Sequence, residues 1–333
     1  MERRKGMYDL NELKDGTAIL SKSFDFTILT PLFMHGWHST DDHNRGRAVN
    51  AELRGSSIRG VLRYWWRSLQ TGNNTPASLL QKEQALFGGS SGGDESTCRS
   101  PLLLMLSSRD REAIRDTKMD KLCPHRGNTN MAIPSFALKP ERKLRIEMKV
   151  LNKDSQGWDT YVNYFLITFM LAGFGQRSRR GSGAVQLDEF KWMDVTEFRK
   201  ALQTILTDLH LGQEFNFRPN HSSCLVERTV QTDTYPYPRL MRIWLGQASN
   251  SAKDVRTKIS EAGHIANPGN SQQMLGNVGR RGTPRLASPL LCTVRRIGRD
   301  YYSLVSEMSN LHMNEPDYTT QRNKFLQNLG VSI

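Results

Sequence analysis

Three arginines fall within four residues at Arg177, Arg179 and Arg180, inside the run Gly173-Phe174-Gly175-Gln176-Arg177-Ser178-Arg179-Arg180-Gly181-Ser182-Gly183. Glycine at that density permits positive φ and leaves no Cβ to block approach, so peptide N–H groups can line a concave anion site. The guanidinium groups then supply counter-charge in a forked geometry suited to phosphate oxygens. A second set, Arg59, Arg63 and Arg67, recurs every fourth residue behind Leu53-Arg54-Gly55-Ser56-Ser57. Ser56 or Ser57 is placed to cap a helix there, which would add N–H donors and the positive end of a helix dipole to the same region. A polyanion is the natural ligand of both sets.

The alternatives are weaker. A solvated helix face usually mixes signs, yet no acid lies between Arg54 and Arg67, and like charges four apart cost a few tenths of a kcal/mol each. Phosphates would compensate them. The glycine run follows a helix instead of opening one and contains no G-x-x-x-x-G-K-[ST], so neither nucleotide-binding loop pattern applies. His35, His38 and His43 with Asp41 and Asp42 cluster within nine positions, but H-x-x-H-x-x-x-x-H matches no metal motif and reads as a polar loop. No metal, cofactor or catalytic residue is therefore assigned. Cys98, Cys123, Cys224 and Cys292 contain no C-x-x-C pair and are expected to be reduced thiols.

Elements that could position these groups follow from periodicity. Phe24, Phe26 and Ile28 alternate with Asp25, Thr27 and Leu29, the period of a strand with one face in the core. A helix runs from Ser56 or Ser57 to about Leu69, with Ile58, Val61, Leu62, Trp65 and Leu69 in one sector, the arginines in a neighbouring one and Trp66 at the border. Leu102 to Leu106 is a short strand, and Leu144, Ile146, Met148 and Val150 mark another with one wet face. A helix over Tyr161 to Ala172, the glycine-rich loop and a strand from Ala184 to Leu187 complete the order β-α-β-β-α-β. The Gly/Ser stretch at Gly88 to Gly93 and the polar residues up to about 140 form a long insertion with at most local structure. Beyond Asp194 the pattern is weaker: a helix Thr196 to Leu209, a strand Leu240 to Leu245, a helix Ala252 to Ile265, a loop holding Arg280 and Arg281, and a hairpin around Gly298-Arg299-Asp300.

The chain has 333 residues, which fits two domains, and lysine plus arginine exceed aspartate plus glutamate by 46 to 33, a net +13. That balance favours nucleic acid or an anionic membrane surface. The most apolar stretch, Tyr164 to Gly173, is about half the roughly 20 residues a spanning helix needs. The basic start Met1-Glu2-Arg3-Arg4-Lys5 leads into no apolar signal core, so a cytoplasmic location is expected and a membrane partner is not.

With Thr30-Pro31-Leu32-Phe33 and Leu86-Phe87-Gly88, the two arginine segments resemble the RAMP proteins of CRISPR effector complexes. Glu52 through Arg67 resembles the hallmark of the subunit-one family of the type III-B Cmr complex. Gly175 to Gly183 is similar to that family's glycine-rich loop, and Arg285-Leu286-Ala287-Ser288-Pro289-Leu290 to its C-terminal signature. His35-Gly36-Trp37-His38 departs from the small residues expected there. The resemblance implies an α+β protein of two ferredoxin-like (RRM-like, βαββαβ) domains, residues 1–190 with the insertion near 88–140 and a degenerate second domain over 191–333. It implies a non-catalytic subunit at the head of a ribonucleoprotein, near the 3′ end of the guide RNA, holding guide and target RNA beside another head subunit and the backbone subunit. RNA contacts would fall on Arg54, Ser57, Arg59, Arg63 and Arg67 in the first motif and on Gln176, Arg177, Ser178, Arg179 and Arg180 in the loop. An endoribonuclease, metal-dependent or acid-base, is the competing expectation; a nucleotide-handling enzyme outside CRISPR is a third.

Overall fold

The alternation at Phe24, Phe26 and Ile28 becomes strand β1 (Ile19–Ile28), with those three side chains in the core and Ser23 and Asp25 outside. The computed structural model describes residues 19–36, 40–41, 47–48, 50–72, 74–90, 97–98, 100–106, 117–151, 157–218, 222–229, 237–267, 274–277 and 285–333. The sequence readings on His38, Asp42, His43, Arg280 and Arg281 lie outside them. Leaving aside two-residue ladders, β1 is followed by α1 (Gly55–Leu69), α2 (Pro76–Phe87), β2 (Leu102–Leu106), a hairpin of β3 (Thr117–Lys121) and β4 (Pro134–Leu138), β5 (Lys143–Leu151), α3 (Trp158–Leu171) and β6 (Val185–Leu187). The first sheet runs β6-β1-β5-β2 with every neighbouring pair antiparallel. Its four strands, counted along the chain, lie in the order 4-1-3-2, with α2 and the β3–β4 hairpin added to the expected β-α-β-β-α-β succession.

Two local expectations change. The first helix begins at Gly55 with Arg54 as its N-cap, and Arg54 makes no side-chain cap bond; Ser56 and Ser57 sit inside the first turn. The serine cap is thus absent because the extended residue that opens the helix comes two positions earlier. Helix α2 was not foreseen, although Thr75-Pro76 announces it: the Thr75 hydroxyl accepts from the Ser78 N–H at 3.1 Å and Pro76 occupies the first turn. Its buried Leu79, Glu83 and Phe87 lie four apart. In the described part of the insertion β3 and β4 form a local hairpin, paired from Thr117↔Leu138 to Lys121↔Pro134. Trp65 and Trp66 are both core residues.

The second half contains α4 (Val195–Asp208), β7 (Phe215–Phe217), β8 (Cys224–Arg228), β9 (Leu240–Leu245), α5 (Ala252–Ala266), β10 (Leu290–Ile297), β11 (Asp300–Met308) and α6 (Pro316–Asn328). Its sheet runs β7-β8-β9-β11-β10, again antiparallel throughout. The strands β9, β10 and β11 take the places that β1, β2 and β5 hold in the first sheet. The fourth place, which β6 fills at the end of the first unit, is filled here by β8, a strand that precedes the unit. Asp194 and Ser251 cap α4 and α5, each accepting from the N–H three residues on. Among the described residues no helix is long and apolar enough to cross a membrane.

The two sheets share packing. One apolar cluster holds Phe24, Phe26, Phe165 and Phe169 together with Leu225, Ile243 and Leu304. At the seam, strand β10 faces the end of α3 and the side of β6. The fully buried Arg295 points from β10 into the C-terminus of α3, donating to the carbonyls of Phe169, Met170 and Ala172 at 2.6–2.7 Å. It also reaches the Val185 carbonyl of β6 at 3.1 Å. Four carbonyls without helical partners and the negative end of a helix dipole thus receive one cation. Burial pushes its pKa down to about 9, so it remains charged at neutral pH. Beside it the buried Gln186 side chain exchanges two hydrogen bonds with the backbone of Arg296.

Candidate nucleic-acid interface

Whether a polyanion site exists turns on whether the glycine-rich loop and α1 meet. They do, through a face of α1 other than its arginine face. A hollow of about 240 Å³ is lined by Ser57, Gly60, Val61 and Tyr64 of the helix and by Ser178 and Arg179 of the loop, with Leu291 and Cys292 of β10 behind. The Arg179 guanidinium lies 5.5 Å from the centre of the Tyr64 ring, a cation–π contact between the two segments.

The arginines of α1 point elsewhere. Arg63 Nε donates to Glu83 Oε1 at 2.5 Å, and Arg67 Nη1 reaches the two oxygens of the same carboxylate at 2.7 and 2.8 Å. The acid missing from α1 is supplied by α2, where Glu83 is only 3% exposed. This corrects the expectation that these like charges await phosphate: one buried carboxylate clamps two guanidinium groups and fastens α2 to α1. Arg59 is half-buried with its Nε unpartnered, and burial together with Arg63 lowers its pKa. Arg54 is exposed, 3.5 Å from Glu52 and 3.4 Å from the His35 carbonyl. None of these four arginines lines the hollow. Removing the clamp by Glu83→Gln should lower stability by about 3 kcal/mol, the order of cost for stranding buried charge. A chemical-denaturation midpoint that stays put would show the clamp to be incidental.

The loop is built by positive-φ turns. Gly175 and Gly183 have φ of 79° and 64°, and a Cβ at either would overlap a backbone carbonyl, that of Phe33 or of Phe174. Arg177 itself adopts φ 58°, a conformation that costs a non-glycine residue about 1–2 kcal/mol. It is held because the Arg180 and Ser182 N–H groups donate to the Arg177 carbonyl at 2.8 and 3.4 Å. The loop then attaches to the second sheet: Gly181 N–H donates to Cys292 O at 3.0 Å and Cys292 N–H to Arg179 O at 3.3 Å. The side chains follow. Arg179 donates to the Ser288 carbonyl at 2.6 Å and Arg180 to the Leu275 carbonyl at 2.9 Å, while Arg177 reaches Cys123 Sγ at 3.2 Å. Carbonyls orient these cations without neutralising them. Burial lowers the pKa of Arg180, whose Nη1 has no partner, and raises the neighbouring Cys292 thiol to about 12, which makes it inert.

On the far side of Ser178 and Arg179 a larger groove opens, about 1020 Å³. Its walls are the loop, the turn after β3, the end of α5 and the strand-like segment at Arg285 to Ser288. Arg126, Arg177, Arg179, Arg180 and Arg285 line it with His125 and His264, and no carboxylate does so among the described residues. The walls are held by Arg256 of α5, which is 2% exposed, donates to Ser182 Oγ and Asp120 Oδ1 at 3.0 Å and also to the Lys121 carbonyl, and so ties helix, loop and hairpin. Of the residues expected to touch RNA, the structure gathers Arg177, Ser178, Arg179 and Arg180 here, while Ser57 lines the smaller hollow and Gln176 is exposed at the loop tip. His125 and Arg126 escaped the sequence reading because they sit in a segment of low periodicity, and His264, on a helix that the sequence does announce, meets them only through the fold. Among the described residues no group of three or more His, Cys, Asp or Glu could hold a metal ion.

The arrangement is that of an α+β protein with an arginine-lined groove at the seam of two antiparallel sheets. The model of the RAMP superfamily matches residues 25–186 of the chain. The fold as a whole is like that of Cmr1 from Pyrococcus furiosus in its apo crystal form, with a TM-score of 0.56 at 13% identity, over 92% of this chain and 96% of that one. It is also like a chain in the type III-B Cmr-beta complex bound to cognate target RNA and AMPPnP in the presence of ssDNA, with a TM-score of 0.55 at 12% identity, over 92% and 98%. No curated protein matches the chain.

Proposed function

We propose that the chain is a non-catalytic RNA-binding and assembly subunit of a type III-B CRISPR ribonucleoprotein, sitting at the head of the complex near the 3′ end of the guide RNA. Its two ferredoxin-like domains, residues 1–190 and 191–333, would hold guide and target RNA in the groove between the sheets. The observation that carries this reading is the groove itself: five arginines and two histidines on walls free of carboxylate among the described residues, in a chain of net +13. Its 4-1-3-2 sheet order and its likeness to chains of Cmr complexes support the same assignment. Guanidinium groups on irregular backbone suit a ribose-phosphate strand, position it and read no bases, while pairing with the guide supplies sequence. The other partners would be a second head subunit and the backbone subunit. The setting would be the cytoplasm.

The test is binding of single-stranded RNA by the purified chain across a salt series. Arg177→Ala with Arg285→Ala should weaken binding for all sequences alike and make the slope of log K against log salt shallower by about 0.7 per lost phosphate contact. An unchanged slope would remove these residues from the RNA path. The labelled RNA should be recovered intact with magnesium or with chelator; discrete products made by the wild-type chain would overturn the non-catalytic assignment.

A further inference from the structure

Opposite the glycine-rich loop two imidazoles stand face to face. His125, from the single turn Pro124–Arg126, and His264, from the last turn of α5, have ring centroids 5.1 Å apart and planes 24° apart. His125 Nδ1 lies 2.7 Å from Ser260 Oγ, and its Nε2 is buried without a partner. Arg126 places Nη2 3.5 Å from His264 Nδ1. Arg177, Arg180 and Arg285 face the pair from the loop and the opposite wall, with Cys123 alongside. Among the described residues the carboxylate acting on His125 is that of Glu261, exposed on α5, while Asp120 of β3 is paired with Arg256. Stacked rings in cationic surroundings form half of a site. An anion between them and the arginines would complete it.

We propose that His125, Arg126, Arg177 and His264 form a phosphodiester subsite for single-stranded RNA whose occupancy takes up a proton on the imidazole pair. This deepens the reading of the groove as the RNA path and rests on it. In the free protein burial, then Arg126, then His264 hold the His125 pKa below its ordinary value, which favours the neutral ring there. A phosphodiester brings a fixed negative charge and reverses the local field, which favours imidazolium. The bound state therefore holds more protons than the free state between the two pKa values, and affinity rises as pH falls through that interval.

The experiment is fluorescence anisotropy with an oligouridine, whose bases do not titrate in this range, at constant ionic strength from about pH 8 to about pH 5.5. The wild-type dissociation constant should tighten by about tenfold towards the acid end, the response of one linked proton. His125→Asn should remove most of that dependence, and adding His264→Gln, at an exposed position, should flatten it. Arg285→Ala should weaken binding at every pH and keep the slope. A wild-type affinity independent of pH, or a slope that survives in the double variant, would overturn the proton-linked subsite and leave the groove standing. Absence of RNA binding at every pH would remove both.

Discussion

Arg295→Met is expected to be the most damaging single substitution in the chain, lowering stability by about 3–5 kcal/mol and yielding little folded protein. Methionine matches much of the volume and none of the donors. The carbonyls of Phe169, Met170 and Ala172 at the end of α3 and of Val185 on β6 would be left buried without these donors, each at about 1–3 kcal/mol before relaxation. Arg295→Lys keeps the charge but cannot reach carbonyls on both sides of a fork, so it should recover only part of the loss. The measurement is a urea denaturation midpoint, or thermal unfolding where the variant is too unstable. A midpoint for Arg295→Met within error of wild type would mean that the seam is held by apolar packing alone.

Gly183→Ala is expected to have the second largest effect, about 2–5 kcal/mol, because it combines left-handed backbone with overpacking. Gly183 has φ 64°, its N–H donates to the Pro31 carbonyl, and its carbonyl accepts from Phe174. A methyl group there would meet the Phe174 carbonyl oxygen and the Leu32 side chain. Backbone cannot retreat as a side chain would, so the loop has to move and carry Arg177 to Arg180 with it. Unfolding and RNA affinity should therefore deteriorate together. Gly60→Ala, on the exposed side of α1 with open space around it, serves as the control and should preserve the fold. Full stability in Gly183→Ala would show that the loop tolerates another path.

Much of the scaffold was legible because its signals are local. Leu102 to Leu106, the alternation from Leu144 to Val150 and the apolar faces of α3 and α4 each name their own element, and their order names the first sheet. What escaped depends on distance. Glu83 looked like an unremarked acid in a polar stretch, and only the packing of α2 on α1 turns it into the counter-ion of Arg63 and Arg67. Arg295 read as one more charge in a hairpin, yet it is wholly buried at the junction of two sheets. The density of arginine in the loop is visible in composition alone, whereas its opposite wall, with His125 and His264, is assembled from residues 139 positions apart in the chain. Sequence spacing also misled on direction: arginines every fourth residue define a face, but which neighbour that face meets is settled by tertiary packing.

The hydrogen bonds from Gly181 to Cys292 and from Cys292 to Arg179 have a further consequence. Strand β10 is the outermost strand of the five-stranded sheet, and an uncovered outermost strand invites pairing with another molecule. The glycine-rich loop shields part of that margin with its own main chain. Protection of that margin and the proposed RNA contacts thereby fall on one short segment, and damage to it would surface as self-association as well as lost binding.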